Sequence, residues 1–109
     1  MKLDLNERRR LPNRRGSETF NFICGNFHYV ATVSFFDDGR LAEIFIGNGK
    51  AGSSTDTIAK DSAVVASLAL QHGIPVDVIR RSLLRDSHGV ANSPLGCALD
   101  MLAIEDGAP

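Results

Sequence analysis

From Glu18 onward the chain alternates. Phe20, Phe22 and Cys24 fall on one side of an extended segment and Thr19, Asn21 and Ile23 on the other, which is the period of two expected of a half-buried strand. Gly25-Asn26 follows, a dipeptide suited to a two-residue hairpin loop. Phe27 to Phe36, rich in aromatic and β-branched residues, then supplies the return strand. So short a loop sets the register. Cys24 faces Phe27, Phe22 pairs with Tyr29 and Phe20 with Ala31, so aromatic rings meet across the strands on a single face. Asp37-Asp38-Gly39 is the next turn signal. Leu41 to Ile46 makes a third strand, with Ala42, Ile44 and Ile46 expected opposite Phe35, Val33 and Ala31. The other face would then show Phe36, Leu41 and Phe45 beside Thr32, Ser34 and Glu43.

Beyond Gly47-Asn48-Gly49 the period lengthens to that of helices. Ser53 or Ser54 is placed to cap a helix over about Thr55 to His72, with Asp56 in its first turn and Gly73 as its stop. Its second half, Ala63-Val64-Val65-Ala66-Ser67-Leu68-Ala69-Leu70, is apolar nearly all round, which predicts a helix packed on several sides. Pro75 opens a second helix with Val76, Ile79 and Leu83 on one stripe and Arg80, Arg81 and Arg85 toward solvent. After a loop through Ser87-His88-Gly89, Ser93-Pro94 starts a third helix in which Leu95, Leu99 and Leu102 recur at helical spacing. Strands first and helices after predict an α+β domain: a three-stranded antiparallel meander followed by three helices packed on one face.

With 109 residues the chain has room for one core at roughly 100–200 residues per domain. We divide it into a basic arm at 1–17, the α+β domain at 18–105 and a tail at 106–109. The contents, 43% hydrophobic and 23% charged, exclude wholesale disorder and fibrous repeats. No apolar run approaches the roughly 18–20 residues that span a bilayer, and the first residues lack the apolar stretch of a signal peptide, so a cytoplasmic protein is expected. The net charge is −1, but the basic charge is concentrated. Within 1–15, Lys2, Arg8, Arg9, Arg10, Arg14 and Arg15 stand against Asp4 and Glu7 only.

Arg10-Leu11-Pro12 with Arg14 or Arg15 and Gly16, Tyr29-Val30-Ala31-Thr32-Val33, Asp38-Gly39-Arg40, Glu43-Ile44-Phe45-Ile46, Lys50-Ala51-Gly52-Ser53, and Ser67 through Pro75 follow one another along the chain. Together these stretches resemble the TSCPD domain family, found fused to or beside adenosylcobalamin-dependent ribonucleotide reductases and as short free-standing proteins. Their order and spacing are more specific than any one of them. The family's Thr-Ser-Cys-Pro-Asp motif is degenerate here: the region reads Asn92-Ser93-Pro94-Leu95-Gly96-Cys97-Ala98-Leu99-Asp100. Cys97 stands after the proline, so a role held by the family cysteine does not transfer to it. Such reductases need a radical-bearing cysteine plus a redox-active pair. This chain has two cysteines, Cys24 and Cys97, on separate predicted elements, and both read as free thiols. The resemblance therefore implies a non-catalytic accessory or binding module of deoxyribonucleotide metabolism, with a nucleotide or a reductase as its partner.

Three candidate sites follow. Lys50, Gly52, Ser53 and Ser54 lie where a strand meets a helix N-terminus, a place that favours phosphate, although the spacing is not that of a P-loop. The alternative is a connecting turn that uses glycine for its backbone angles. Arg8, Arg9, Arg10, Arg14 and Arg15 would meet nucleic-acid phosphates, or dock on the domain or on a reductase. Phe36, Leu41 and Phe45 make an outer face apolar enough to need a cover, supplied by Leu11 of the arm or by a second copy in a homodimer. The three histidines and two cysteines do not assemble the four ligands of a structural zinc site. No metal, no cofactor and no catalytic nucleophile is assigned.

Overall fold

The structure, a computed structural model, describes residues 16–105. Three strands, β1 (Ser17–Cys24), β2 (Phe27–Phe35) and β3 (Leu41–Gly47), form an antiparallel meander in the order β1-β2-β3. Three helices follow: α1 (Ser54–Gln71), α2 (Val76–Ser82) and α3 (Pro94–Glu105). This is the α+β arrangement read from the sequence. The first hairpin keeps the expected register, with Cys24 opposite Phe27, Phe22 opposite Tyr29 and Phe20 opposite Ala31. Gly25 at φ +61° takes the first loop position, which only a glycine fills readily in a type II′ turn.

The second hairpin departs from expectation. Ala31 pairs with Ile46 and Val33 with Ile44, but Phe35 pairs with Leu41 and not with Ala42, because the register shifts between Ser34 and Phe35. Two residues of β3 then oppose one of β2, strict alternation fails locally, and Leu41 and Ala42 both turn inward. Leu41 is 7% exposed and Phe36 6% exposed, so neither belongs to an outer face. Of that expected trio Phe45 alone remains outside, at 50% exposure.

The core joins the inner face of the sheet (Phe22, Tyr29, Val33, Ile44) to Ala59, Ala63, Ala66 and Leu70 of α1 and to Leu95, Leu99 and Leu102 of α3. Three alanines on the buried stripe of α1 bring that helix close to β3. At this range side chains reach the strand's backbone: Ser67 Oγ accepts from Ile44 N–H and donates to Ile44 C=O, both at 2.9 Å, and Gln71 Nε2 donates to Ala42 C=O at 3.2 Å. On the free edge of β3, Ile44 N–H and C=O and Ala42 C=O are thus taken by helix side chains and are closed to pairing with another strand.

α1 is not enclosed on several sides as its composition suggested. Val64, Val65, Leu68 and Ile58 are exposed, since the sheet and α3 cover only one stripe. Arg80 and Arg85 also depart from the expected wet face. Arg80 Nε meets Asp100 Oδ1 at 2.8 Å, and Arg85 grips the same carboxylate with Nη1 on Oδ2 and Nη2 on Oδ1, each at 2.7 Å. Arg81 does face solvent. This clamp ties α2 and the 84–92 loop to α3, and it holds the Asp100 carboxyl down at about 2, chiefly through the Arg85 bond.

Candidate functional site

The loop joining β3 to α1 is built around a carboxylate. Asp56 is 2% exposed. Its Oδ1 accepts the Asn48 N–H at 2.8 Å and its Oδ2 lies 2.7 Å from Lys60 Nζ. Asn48 in turn donates from Nδ2 to Thr55 Oγ1 and accepts the Lys50 N–H, each at 2.9 Å. Ser53, the N-cap, accepts the Asp56 N–H at 3.2 Å. Lys60, then the Asn48 amide, hold the Asp56 carboxyl below the ordinary carboxylate range.

This geometry bears on phosphate binding. A helix N-terminus favours an anion through its free N–H groups and its dipole, but the buried Asp56 carboxylate, held by the Asn48 N–H and Lys60, places the chain's own negative charge in the first turn beside it. Lys50, Gly52 and Ser54 are exposed around it, and Ser53 is committed to its cap. Asp56 was read from sequence only as a first-turn acid and its partner Lys60 was missed, although their i, i+4 spacing is a readable signal.

Among the described residues two apolar grooves are exposed. Phe45, Val30 and Val64 line a shallow groove between the outer sheet face and α1. A second groove runs between α1 and α2, where Ile58, Val65, Ile74 and Val78 are joined by Ile79 and Leu83, and Val65 is 66% exposed there. A cleft of about 250 Å³ beside the β2–β3 turn, with Phe36, Leu70 and Leu99 in its wall, falls below the roughly 300–1,000 Å³ usual for small-molecule sites.

The fold brings Cys24 and Cys97 together, with their sulfurs 3.1 Å apart, although 73 positions separate them and neither carries a local motif. Both are free cysteines, each half-buried. Burial, then the contact with Cys24, pushes the Cys97 thiol up to about 12. His28 lies opposite Ile23 in the hairpin, as expected. Among the described residues no group of three or more His, Cys, Asp and Glu is placed to hold a metal ion, and no helix is long and apolar enough to cross a membrane. The arginine arm, Arg8, Arg9, Arg10, Arg14 and Arg15, and Leu11 with it, lie outside the described residues.

Helices packed on the inner face of an antiparallel meander, with apolar grooves exposed among the described residues, make this a small α+β domain. The chain belongs to the TSCPD domain family, whose model matches residues 3–103. It is 36% identical over 73 residues to the vitamin B12-dependent ribonucleotide reductase of Bradyrhizobium diazoefficiens, a match covering 67% of this chain and 6% of that protein. Enzymes of the same name from Agrobacterium fabrum (37% over 71 residues, 65% of this chain and 6% of the relative) and Rhodopirellula baltica (40% over 73 residues, 66% and 7%) are similar to it in the same way. The matched part is thus a small fraction of each relative's length. No solved structure matches the chain.

Proposed function

We propose that this domain is a non-catalytic accessory module that docks on a vitamin B12-dependent ribonucleotide reductase in the cytoplasm. The observation that carries this reading is that reductases many times longer contain a related stretch covering about two thirds of this chain, while among the described residues the α1–α2 groove is exposed. Uncovered apolar surface around Ile58, Val65 and Val78 is what a domain made to rest on a larger protein would carry. The test is calorimetric titration of the chain into the purified reductase. Micromolar or tighter binding is expected, weakened at least tenfold by Val65→Glu, which would bury a charge in the contact. The absence of heat with the native chain overturns the reading.

The Phe45 groove supports a second reading, a homodimer. Phe45, Val30 and Val64 line an exposed apolar groove, which a two-fold contact between copies would bury. Phe36 and Leu41, which are buried, take no part in it. A nucleotide version of the function would put a phosphate at Lys50, Gly52, Ser53 and Ser54. The Asp56 carboxylate opposes it electrostatically, so docking stands first. Nucleic-acid binding by the arginine arm is tested by gel mobility at two salt concentrations, where binding that weakens with salt would favour it.

A further inference from the structure

The two cysteines lie in different parts of the chain and meet only in the fold. Cys24 ends β1, directly before the hairpin loop, and Cys97 sits in the first turns of α3. Their sulfurs are 3.1 Å apart, and a disulfide needs about 2.05 Å. Closing that gap takes a movement of about 1 Å between two packed elements. Cys97 also has Ala91 C=O as an acceptor, at 3.7 Å, so the pair is part of the seam where α3 meets β1 and the 84–92 loop. We infer that Cys24 and Cys97 form a reversible intramolecular disulfide, a redox-controlled staple between the first strand and the last helix.

The chemistry balances with a low-molecular-weight disulfide such as oxidised glutathione as the oxidant. A protein thiolate attacks one sulfur of the oxidant, forming a mixed disulfide and expelling one thiolate. The second protein sulfur, having given its proton to water, attacks the protein sulfur of that mixed disulfide and expels the second thiolate. Two protein thiols lose two electrons and two protons, and one small disulfide becomes two small thiols. A dithiol reductant reverses both steps. Cys97, held protonated by burial, is slow to react first, and this makes it the resolving sulfur, with Cys24 as the site of the mixed disulfide. A monothiol that opens the bond leaves a mixed disulfide that the freed cysteine beside it can close again, whereas a dithiol resolves that intermediate with its own second thiol, so the bond resists monothiols and opens to dithiols. Because it closes a loop over most of the domain, the staple restrains the unfolded chain strongly.

The experiment incubates the native, undenatured protein with a graded series of reduced and oxidised glutathione, blocks remaining thiols by alkylation, and maps peptides by mass spectrometry. The expected result is a Cys24–Cys97 linked peptide at oxidising ratios, a rise in Tm of about 10 °C or more, and reversal of both by dithiothreitol. Cys97→Ser should retain a single glutathione on Cys24 and show no rise. The inference is overturned if both thiols stay open to alkylation at every ratio. Glutathione adducts accumulating separately on the two cysteines of the native protein, or a linked form that melts no higher than the reduced one, overturn it equally.

Discussion

Replacing Ser67 with Ala tests how the edge of the sheet is closed. In the native domain the Ser67 hydroxyl serves both polar groups of Ile44, at 2.9 Å each, and the Ile44 side chain is fully buried. Alanine removes both bonds and offers no replacement, leaving a backbone N–H and C=O stranded. A buried polar group without a partner costs about 1–3 kcal/mol, while the better helix propensity of alanine returns up to about 0.5 kcal/mol. Taking about 1–1.5 kcal/mol for each of the two groups, less that gain, gives a net loss of about 1.5–2.5 kcal/mol. For a domain of this size that is a fall in Tm of about 6–20 °C. The assay is urea unfolding followed by circular dichroism, with a lower midpoint at unchanged slope expected. Ser62→Ala is the control, because that hydroxyl only bonds back to Ala59 C=O within its own helix, at 2.9 Å, and its loss should stay within about 0.5 kcal/mol. A Ser67→Ala loss below about 1 kcal/mol, or one equal to the control, would refute the view that α1 side chains close the β3 edge.

The Asp100 clamp predicts a pH dependence. The folded carboxyl titrates at about 2 against about 3.9 when unfolded, so its contribution is full above about pH 5 and is lost as pH falls toward 2. Discounted for its partial exposure it amounts to about 1–2 kcal/mol, and Asp100→Asn should flatten the stability profile in that window. Gly96→Ala should destabilise by about 1–2 kcal/mol in denaturant melts despite its better helix propensity, since the new methyl would lie 2.9 Å from the Ala91 Cβ. For the homodimer, sedimentation should show Phe45→Glu to be monomeric at a concentration where the native chain is dimeric. A native monomer, or a variant that stays dimeric, removes that interface.

What the sequence disclosed and what it withheld divide along the range of the interactions involved. The first hairpin was legible because alternation and Gly25-Asn26 act over a few residues. The bulge at Ala42 was not, since Leu41-Ala42-Glu43 carries no local sign that two neighbours will both face inward. Arg80 and Arg85 looked like surface charge because Asp100, the group that claims them, lies on another helix. The same distance hid the contact of Cys24 with Cys97. In α1 an apolar run was read as enclosure, but Val64, Val65 and Leu68 of that run are exposed, because hydrophobicity along a helix does not say which of its sides other elements cover. At the phosphate loop, glycines and serines drew attention while Asp56, which sets the charge of the site, was read only as a first-turn acid.

If the α1–α2 groove is the surface that docks on a vitamin B12-dependent reductase, amide hydrogen exchange on the chain with and without the purified reductase will show added protection in peptides covering Ile58–Ala69 and Ile74–Leu83, and little change in the 47–54 loop. Protection confined to that loop, or none anywhere at saturating reductase, contradicts docking through the groove.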